Sequence, residues 1–318
     1  MLGITGYLTT GARRMACLAG IRQSFAQAEQ LLTELARWEL DDETIRRLCH
    51  AEAARARAHR EERTTAAAFR AAPGDAEVQI DAGKVNTSEG WRDVKAAVFA
   101  RRQRGEPACA AQWDERKLPT PGVRSVIAAV EDAAAFGHRC QAEARRLDWN
   151  DPSELNVLAD GAEWIWNLSR RHFPGAAEVL DIYHGVEHLA DGSRQIFGEG
   201  TSETTLFTDK GRTRLLADGY AGVVEWAGEI AARLPTNGDG AALGRVLNYF
   251  AGHRQRLPYA LRLCRGQSIG SGLVEGTIKQ LLNRRMKQTG ARWKLEHVGP
   301  FVELGALVDD PQWHAYWQ

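Results

Sequence analysis

The sequence predicts an α/β fold in which a mixed sheet follows a helical N-terminal region and is interrupted by a helical insertion. Three observations point to it. Residues 77–102 read as two strands around a short polar turn. Residues 155–183 hold two short apolar runs separated by a helix-like piece, the mark of parallel strands with a crossover. Residues 1–70 and 185–264 instead carry helix-like patterns, and the second stretch is too long for a plain loop.

Taken in order, residues 1–74 form the helical N-terminal region. Ser24 opens a helix with Ala28, Leu31, Leu32 and Leu35 on one face, and Asp41/Asp42 cap a second, arginine-rich helix from Glu43 to Arg63. That helix fits a DNA-facing role and a solvated amphipathic role equally well. Pro73-Gly74 ends the region. The strands EVQIDAGKV (77–85) and WRDVKAAVFARR (91–102) then form a hairpin. A loop with three prolines covers 103–122, and the alanine-rich stretch from about Arg124 to Arg146 is expected to be helical. LNVLA (155–159) and AEVLDIY (177–183) complete the first part of the core, 75–192. The insertion spans 193–264. The last part, 265–318, opens on a Gly-Ser-Gly turn and a helix bearing Glu275.

At 318 residues the chain can bury a sizeable core. Its 41 basic and 41 acidic residues cancel, so no global field draws it to nucleic acid, and any such affinity has to come from local patches. No run approaches the ~20 apolar residues of a membrane span, and MLGITGYLTTGARRM lacks the apolar stretch of a secretory signal. The five cysteines are odd in number and form no CxxC pair, which suits reduced thiols. A cytoplasmic protein without a membrane partner is expected.

Three acids stand out by position. Asp81 lies on the first strand, Asp160 directly follows LNVLA, and Glu275 sits one turn into the last-part helix, bordering the stripe Val274, Ile278, Leu281 and Leu282. Neighbouring strand ends would bring the two aspartates together. Clustered carboxylates repel unless cations sit among them, and hard oxygen donors with open positions suit Mg²⁺ or Mn²⁺. Two such ions serve in-line displacement at phosphorus. Each acid also has a plainer reading: a turn residue at Asp81, a helix cap with Glu163 at Asp160, and a surface glutamate at 275.

The segments around these acids resemble a known family. LADGAEWIWNLSRRHFPGAAEVLDIYHGVEHL and IGSGLVEGTIKQLLNRRMKQTGARW look like the second-carboxylate region and final segment of bacterial insertion-sequence transposases of the ISKra type, relatives of the Mutator-like group. VQIDAGKVNTSEGWRDVKAAVF resembles their first strand pair. The similarity runs in order over roughly residues 75–300. It implies an RNase H-like mixed sheet with a helical insertion, and a DDE transposase acting on double-stranded DNA as a homo-oligomer, with two Mg²⁺ (or Mn²⁺) ions on Asp81, Asp160 and Glu275. Asp181 and His184 match the Asp/Cys-x-x-His pattern of the wider group, and His184 takes a supporting catalytic role. The first motif reads Asp-Ala-Gly where Asp-Gly is commoner. Relatives usually carry a further N-terminal stretch, so a shortened copy that still binds DNA without cutting it is the alternative expectation.

His184-Gly-Val-Glu187-His188 is also a literal HxxEH, the pattern of inverted zinc peptidases, a rival from another class. Gly185 inside the metal helix and the lack of a distinctive third ligand weigh against it. Lys279, Arg284, Arg285, Lys287, Arg292 and Lys294 form a basic run beside Glu275, suited to DNA phosphates. Of the tryptophans, Trp164 and Trp166 are expected to face different ways, one of them toward DNA, and Trp226 is a candidate for stacking on an unpaired base.

Overall fold

The computed structural model describes residues 4–5, 7–62, 66–234 and 240–318. Arg63, the last residue of the predicted arginine-rich helix, lies outside the described residues, as do 1–3 and Gly6 of the opening segment. A short strand pair, β1 (Ile4–Thr5) and β2 (Leu8–Thr9), leads into α1 (Thr10–Arg22), α2 (Phe25–Ala36), α3 (Asp42–Glu62) and α4 (Ala66–Ala71). The caps act as their residue types dictate. Ser24 and Gln27 form a reciprocal capping box on α2, and Asp41 accepts from the Thr44 N–H at 2.9 Å at the start of α3.

A five-stranded mixed sheet follows, built from β3 (Asp75–Thr87), β4 (Gly90–Arg102), β5 (Val123–Ala129), β6 (Leu155–Ala159) and β7 (Ala177–Leu180). Its order is β5-β4-β3-β6-β7, with β3, β4 and β5 antiparallel in turn and β3, β6 and β7 parallel. Helix α5 (Ala133–Arg146) joins β5 to β6, and α6 (Glu163–His172) is the β6–β7 crossover. The expectation of a single helix over Arg124–Arg146 is corrected here. Its first part is β5, whose Val126, Ile127, Ala128 and Ala129 are all buried. A strand buried on both faces shows no alternation, so alanine content favoured a helix where the sheet needed an edge.

After β7 come α7 (Ile182–Phe197), α8 (Ser202–Asp218), α9 (Tyr220–Ala231), α10 (Gly240–His253) and α11 (Tyr259–Cys264). Helix α7 runs unbroken through the expected 192/193 boundary, so core and insertion share one helix. The chain then returns through α12 (Gly272–Ile278), α13 (Leu295–Asp309) and α14 (Gln312–Tyr316). A π-helical turn over Lys279–Asn283 continues α12.

Strand alternation divides the apolar residues into two cores. Val78, Ile80, Ala97 and Phe99 face α5, α6 and the insertion, while Val85, Val94, Ala96 and Val98 face α1–α3, α12 and α13. The second face fixes the site. Gly83 lets α12 approach β3, since a Cβ there would lie 2.4 Å from Leu282 Cδ1. Val274, Ile278, Leu281 and Leu282 are all buried there, at roughly 1.5–3 kcal/mol for each such side chain. Among the described residues no helix is long and apolar enough to cross a membrane.

Candidate active site

The register of three parallel strands sets up the site. Ile80 lies opposite Ala159, and Ala159 lies opposite Leu180. The next residue on each segment is an aspartate: Asp81, Asp160 and Asp181. Adjacent strands lie ~4.8 Å apart, so three carboxylates reach one edge of the sheet. β6 and β7 stop at that edge, while β3 continues into its hairpin. Chain connections leave β3 and β6 in opposite directions, and the crevice at such a switch point, beyond the carboxyl ends of strands, is where open α/β sheets bind ligands.

Asp81 is half-buried and accepts from the Ala82 N–H at 2.6 Å. Burial pushes its acid up to about 6. Asp160 and Asp181 add repulsion, against the Ala82 N–H and the nearby His184. Asp160 accepts from the Ala162 N–H at 2.9 Å, a local turn bond, and α6 has no side-chain cap. The helix-cap reading of Asp160 therefore does not describe its bonds. Gly161 next to it takes φ +98°, and a Cβ there would lie 2.7 Å from the Tyr249 hydroxyl, so the insertion closes directly over the Asp160 turn.

Asp181 is fully buried and every oxygen is in use. One oxygen accepts from the Tyr183 N–H at 2.6 Å and caps α7; the other accepts from the Ser271 N–H at 2.7 Å and meets the Ser271 hydroxyl. Ser271 Oγ also lies 3.0 Å from Glu275 Oε1. A serine hydroxyl has one hydrogen to donate, so Asp181 and Glu275 cannot both receive it. A protonated Glu275 resolves the conflict. Partial burial, the bond with Asp181 and its charge push the Glu275 acid up to about 7, with Ser271 and His184 opposing.

Gln79, buried on β3, aims α12 by accepting from the Leu273 and Val274 N–H groups at 2.9 and 3.3 Å. Asp81 and Asp160 stand on neighbouring strands beside Asp181, and Glu275 on α12 joins this group through Ser271, whose hydroxyl meets both Glu275 and Asp181. Among the described residues, no three His, Cys, Asp or Glu side chains are gathered tightly enough to enclose a metal ion as they stand. Asp81 and Asp160 each spend one oxygen on a local N–H.

His184 lies in the first turn of α7, its Nδ1 3.2 Å from Glu187 Oε2. Its ring lies near both Asp81 and Glu275. His188 instead stacks on Tyr249 at 3.5 Å, and burial lowers its pKa. The two histidines of the HxxEH pattern engage different partners.

The basic run divides. Lys279, Arg284, Lys287, Arg292 and Lys294 are exposed, and Arg292 also donates to the hairpin carbonyls of Thr87 and Ser88 at 3.3 and 3.1 Å. Arg285 is a correction. It is buried, its guanidinium stands 5.0, 4.8 and 4.9 Å from the rings of Phe25, Trp293 and Phe301, and burial lowers its pKa to about 10. It ties the N-terminal helices to α13 and presents nothing to a phosphate. Trp226 is likewise a core residue, fully buried with its Nε1–H donating to the Phe207 carbonyl at 2.7 Å, so it stacks on no base. Trp166 is buried under Arg256, and the half-exposed Trp164 carries Lys95 over its ring.

Sequence reasoning assigned no role to Asp181, Ser271 or Gln79. Asp181 was signalled only by its place in DIYH, and Ser271 only by the Gly-Ser-Gly turn. No protein-family model matches the chain, and no significant match was found among curated proteins.

Proposed function

We propose that the chain is a DDE-type DNA transposase of RNase H-like fold that cuts and rejoins DNA with Asp81, Asp160 and Glu275. The observation supporting this reading is that Asp81, Asp160 and Asp181 stand side by side at the switch point of the sheet, with Glu275 tied to Asp181 through Ser271 and the Asp81 and Glu275 acids both raised. A hairpin leading into a parallel βαβ unit, with a helical insertion before the final helix, supports the RNase H-like assignment.

The donor chemistry fits hard divalent cations such as Mg²⁺ or Mn²⁺: carboxylate oxygens, with protons on Asp81 and Glu275 that a cation can replace. When bound, two such ions supply activation of the attacking oxygen and stabilisation of the leaving one. Asp81 and Asp160 are the residues that hold them, completed by Glu275. Asp181 acts through Ser271, fixing the start of α12 so that Glu275 faces the sheet. His184 offsets negative charge and can donate to DNA or to a carboxylate. Lys279, Arg284, Lys287, Arg292 and Lys294 hold phosphates beside the site, so binding weakens steeply with salt. Double-stranded DNA is the substrate, a homo-oligomer on paired ends the working form, and the cytoplasmic nucleoid the location.

The test pairs two measurements on wild type and on Asp81→Ala, Asp160→Ala and Glu275→Ala. One is Mn²⁺ binding by paramagnetic resonance; the other is Mg²⁺-dependent cleavage of DNA carrying the gene's own flanks. Each variant should stay folded and lose both. A variant that cuts like wild type overturns the assignment, and a wild type that binds DNA and metal without cutting identifies an inactive copy. Stoichiometric zinc lost in His184→Ala would replace the reading with the peptidase.

A further inference from the structure

Beside the carboxylates lies a cavity of about 340 Å³ that this chemistry does not use. Its size is at the lower end of small-molecule sites. One wall is the first turn of α7 at Tyr183, a second is the loop before α12 at Gly270, and a third is the β4–β5 loop at Trp113 and Arg116. Tyr183 is 55% exposed although it follows the fully buried Asp181 by two residues. Its ring lies 5.6 Å from that of Trp113 at 54°, so the pair makes an angled aromatic platform instead of a closed stack. Gly270 leaves room for the tyrosine, because a Cβ there would stand 3.2 Å from Tyr183 Cε2.

The same wall holds two buried donors, Arg116 Nη1 and Trp113 Nε1, with no acceptor among the described residues. Arg102 also lines the cavity, but Glu77 and the Pro119 carbonyl engage its guanidinium. Arg116 has no ion pair among the described residues. A ring face and a guanidinium with no ion pair among the described residues together ask for a flat molecule with a negative charge.

We propose that this cavity takes one unstacked nucleotide of the DNA substrate, its base on the Tyr183 ring beside Trp113 and its phosphate on the Arg116 guanidinium. The proposal rests on the DNA-cutting reading of the adjoining carboxylates. Enzymes that open a duplex at one position have a use for such a pocket, since a base drawn out of the stack fixes the strand beside the reacting phosphate. Stacking on an exposed aromatic ring is tolerant of sequence, which suits a positioning contact.

The test compares a short single-stranded oligonucleotide carrying 2-aminopurine, the same sequence as a duplex, and a deoxynucleoside monophosphate, each titrated into the full-length chain. The single strand should bind with quenching of the 2-aminopurine. Tyr183→Ala and Arg116→Ala should each weaken it about 5- to 100-fold, with Tyr183→Phe close to wild type. Wild-type affinity in both variants overturns the proposal, as does a monophosphate that binds as tightly as the oligonucleotide. Metal-dependent duplex cleavage that proceeds unchanged in both variants removes the pocket and leaves the transposase. Quenching without any cleavage by wild type does the reverse.

Discussion

Two regions of this molecule gather charged groups around acids, and they treat those acids in opposite ways. Glu143 on α5 is 4% exposed. Burial works to raise its acid, but bonds from Arg146 at 2.9 and 2.6 Å, the charge of Arg60 and the Ser125 hydroxyl bring it below the usual carboxylate range. Asp81 is half-buried and Glu275 exposed, yet both acids are raised, first by desolvation and then by neighbouring carboxylates, and among the described residues no arginine bonds to either. The structural acid arrives with its cations in the same chain. The acids at the switch point do not, which is the contrast on which the proposed cation site rests.

The largest effect expected from this contrast is on chemistry. Asp81→Asn and Asp160→Asn should each lower DNA cleavage about a thousandfold or more, the scale on which one electrostatic group acts in catalysis. Metal-free stability at pH 8 should hold or rise, since each change removes a repelling charge. Glu143→Gln should do the converse. It leaves Arg146 buried beside a neutral partner, costing about 3–5 kcal/mol in urea unfolding while cleavage per folded molecule stays at the wild-type level. If Glu143→Gln silences cleavage in fully folded protein, the division between the two regions fails.

Much of this arrangement was legible in the chain. The hairpin, both parallel strands, the caps at Ser24 and Asp41 and the buried stripe of α12 follow from local rules, and the strand register sets Asp81 and Asp160 side by side. What escaped depended on contacts between distant segments. Strand β5 was hidden because a strand covered on both faces loses its period-two signature. Arg285 counted as one of six clustered cations, and only Phe25 and Phe301, remote in sequence, turn it inward. Asp181 stood out only within the DIYH match; it caps α7, and its second oxygen reaches Ser271, 90 residues on. The mixed α/β sheet could be read in advance, but the bonding that holds Glu275 could not.

A smaller effect separates the acids that meet a cation from the one that aims them. Asp181→Asn keeps an oxygen for the Tyr183 N–H but turns an amide toward Ser271, which already presents its own N–H. The start of α12 should loosen, and Mn²⁺ affinity should fall about 10- to 100-fold, as for residues that orient metal ligands. Restoring full cleavage with excess Mn²⁺ would distinguish this positioning role from that of Asp81 or Asp160. An affinity equal to wild type would remove Asp181 from the site.

The finest difference between the two regions is the sign of their pH dependence. Asp81 and Glu275 hold protons in the folded chain up to about pH 6 and 7, whereas the unfolded chain releases them near pH 4. Between those limits the folded state binds more protons, so these two groups make metal-free stability fall as pH rises from about 4 to 7. Glu143 acts with the opposite sign: its contribution is present above the usual carboxylate pKa and is lost as pH falls through its depressed folded value. Thermal melts of metal-free protein should show a decline from pH 5 to pH 8 that Asp81→Asn with Glu275→Gln flattens. Mg²⁺ should raise the melting temperature more at pH 8 than at pH 5, because at the higher pH the cation no longer competes with protons for the same oxygens. A cation effect independent of pH would mean that it binds somewhere other than these carboxylates.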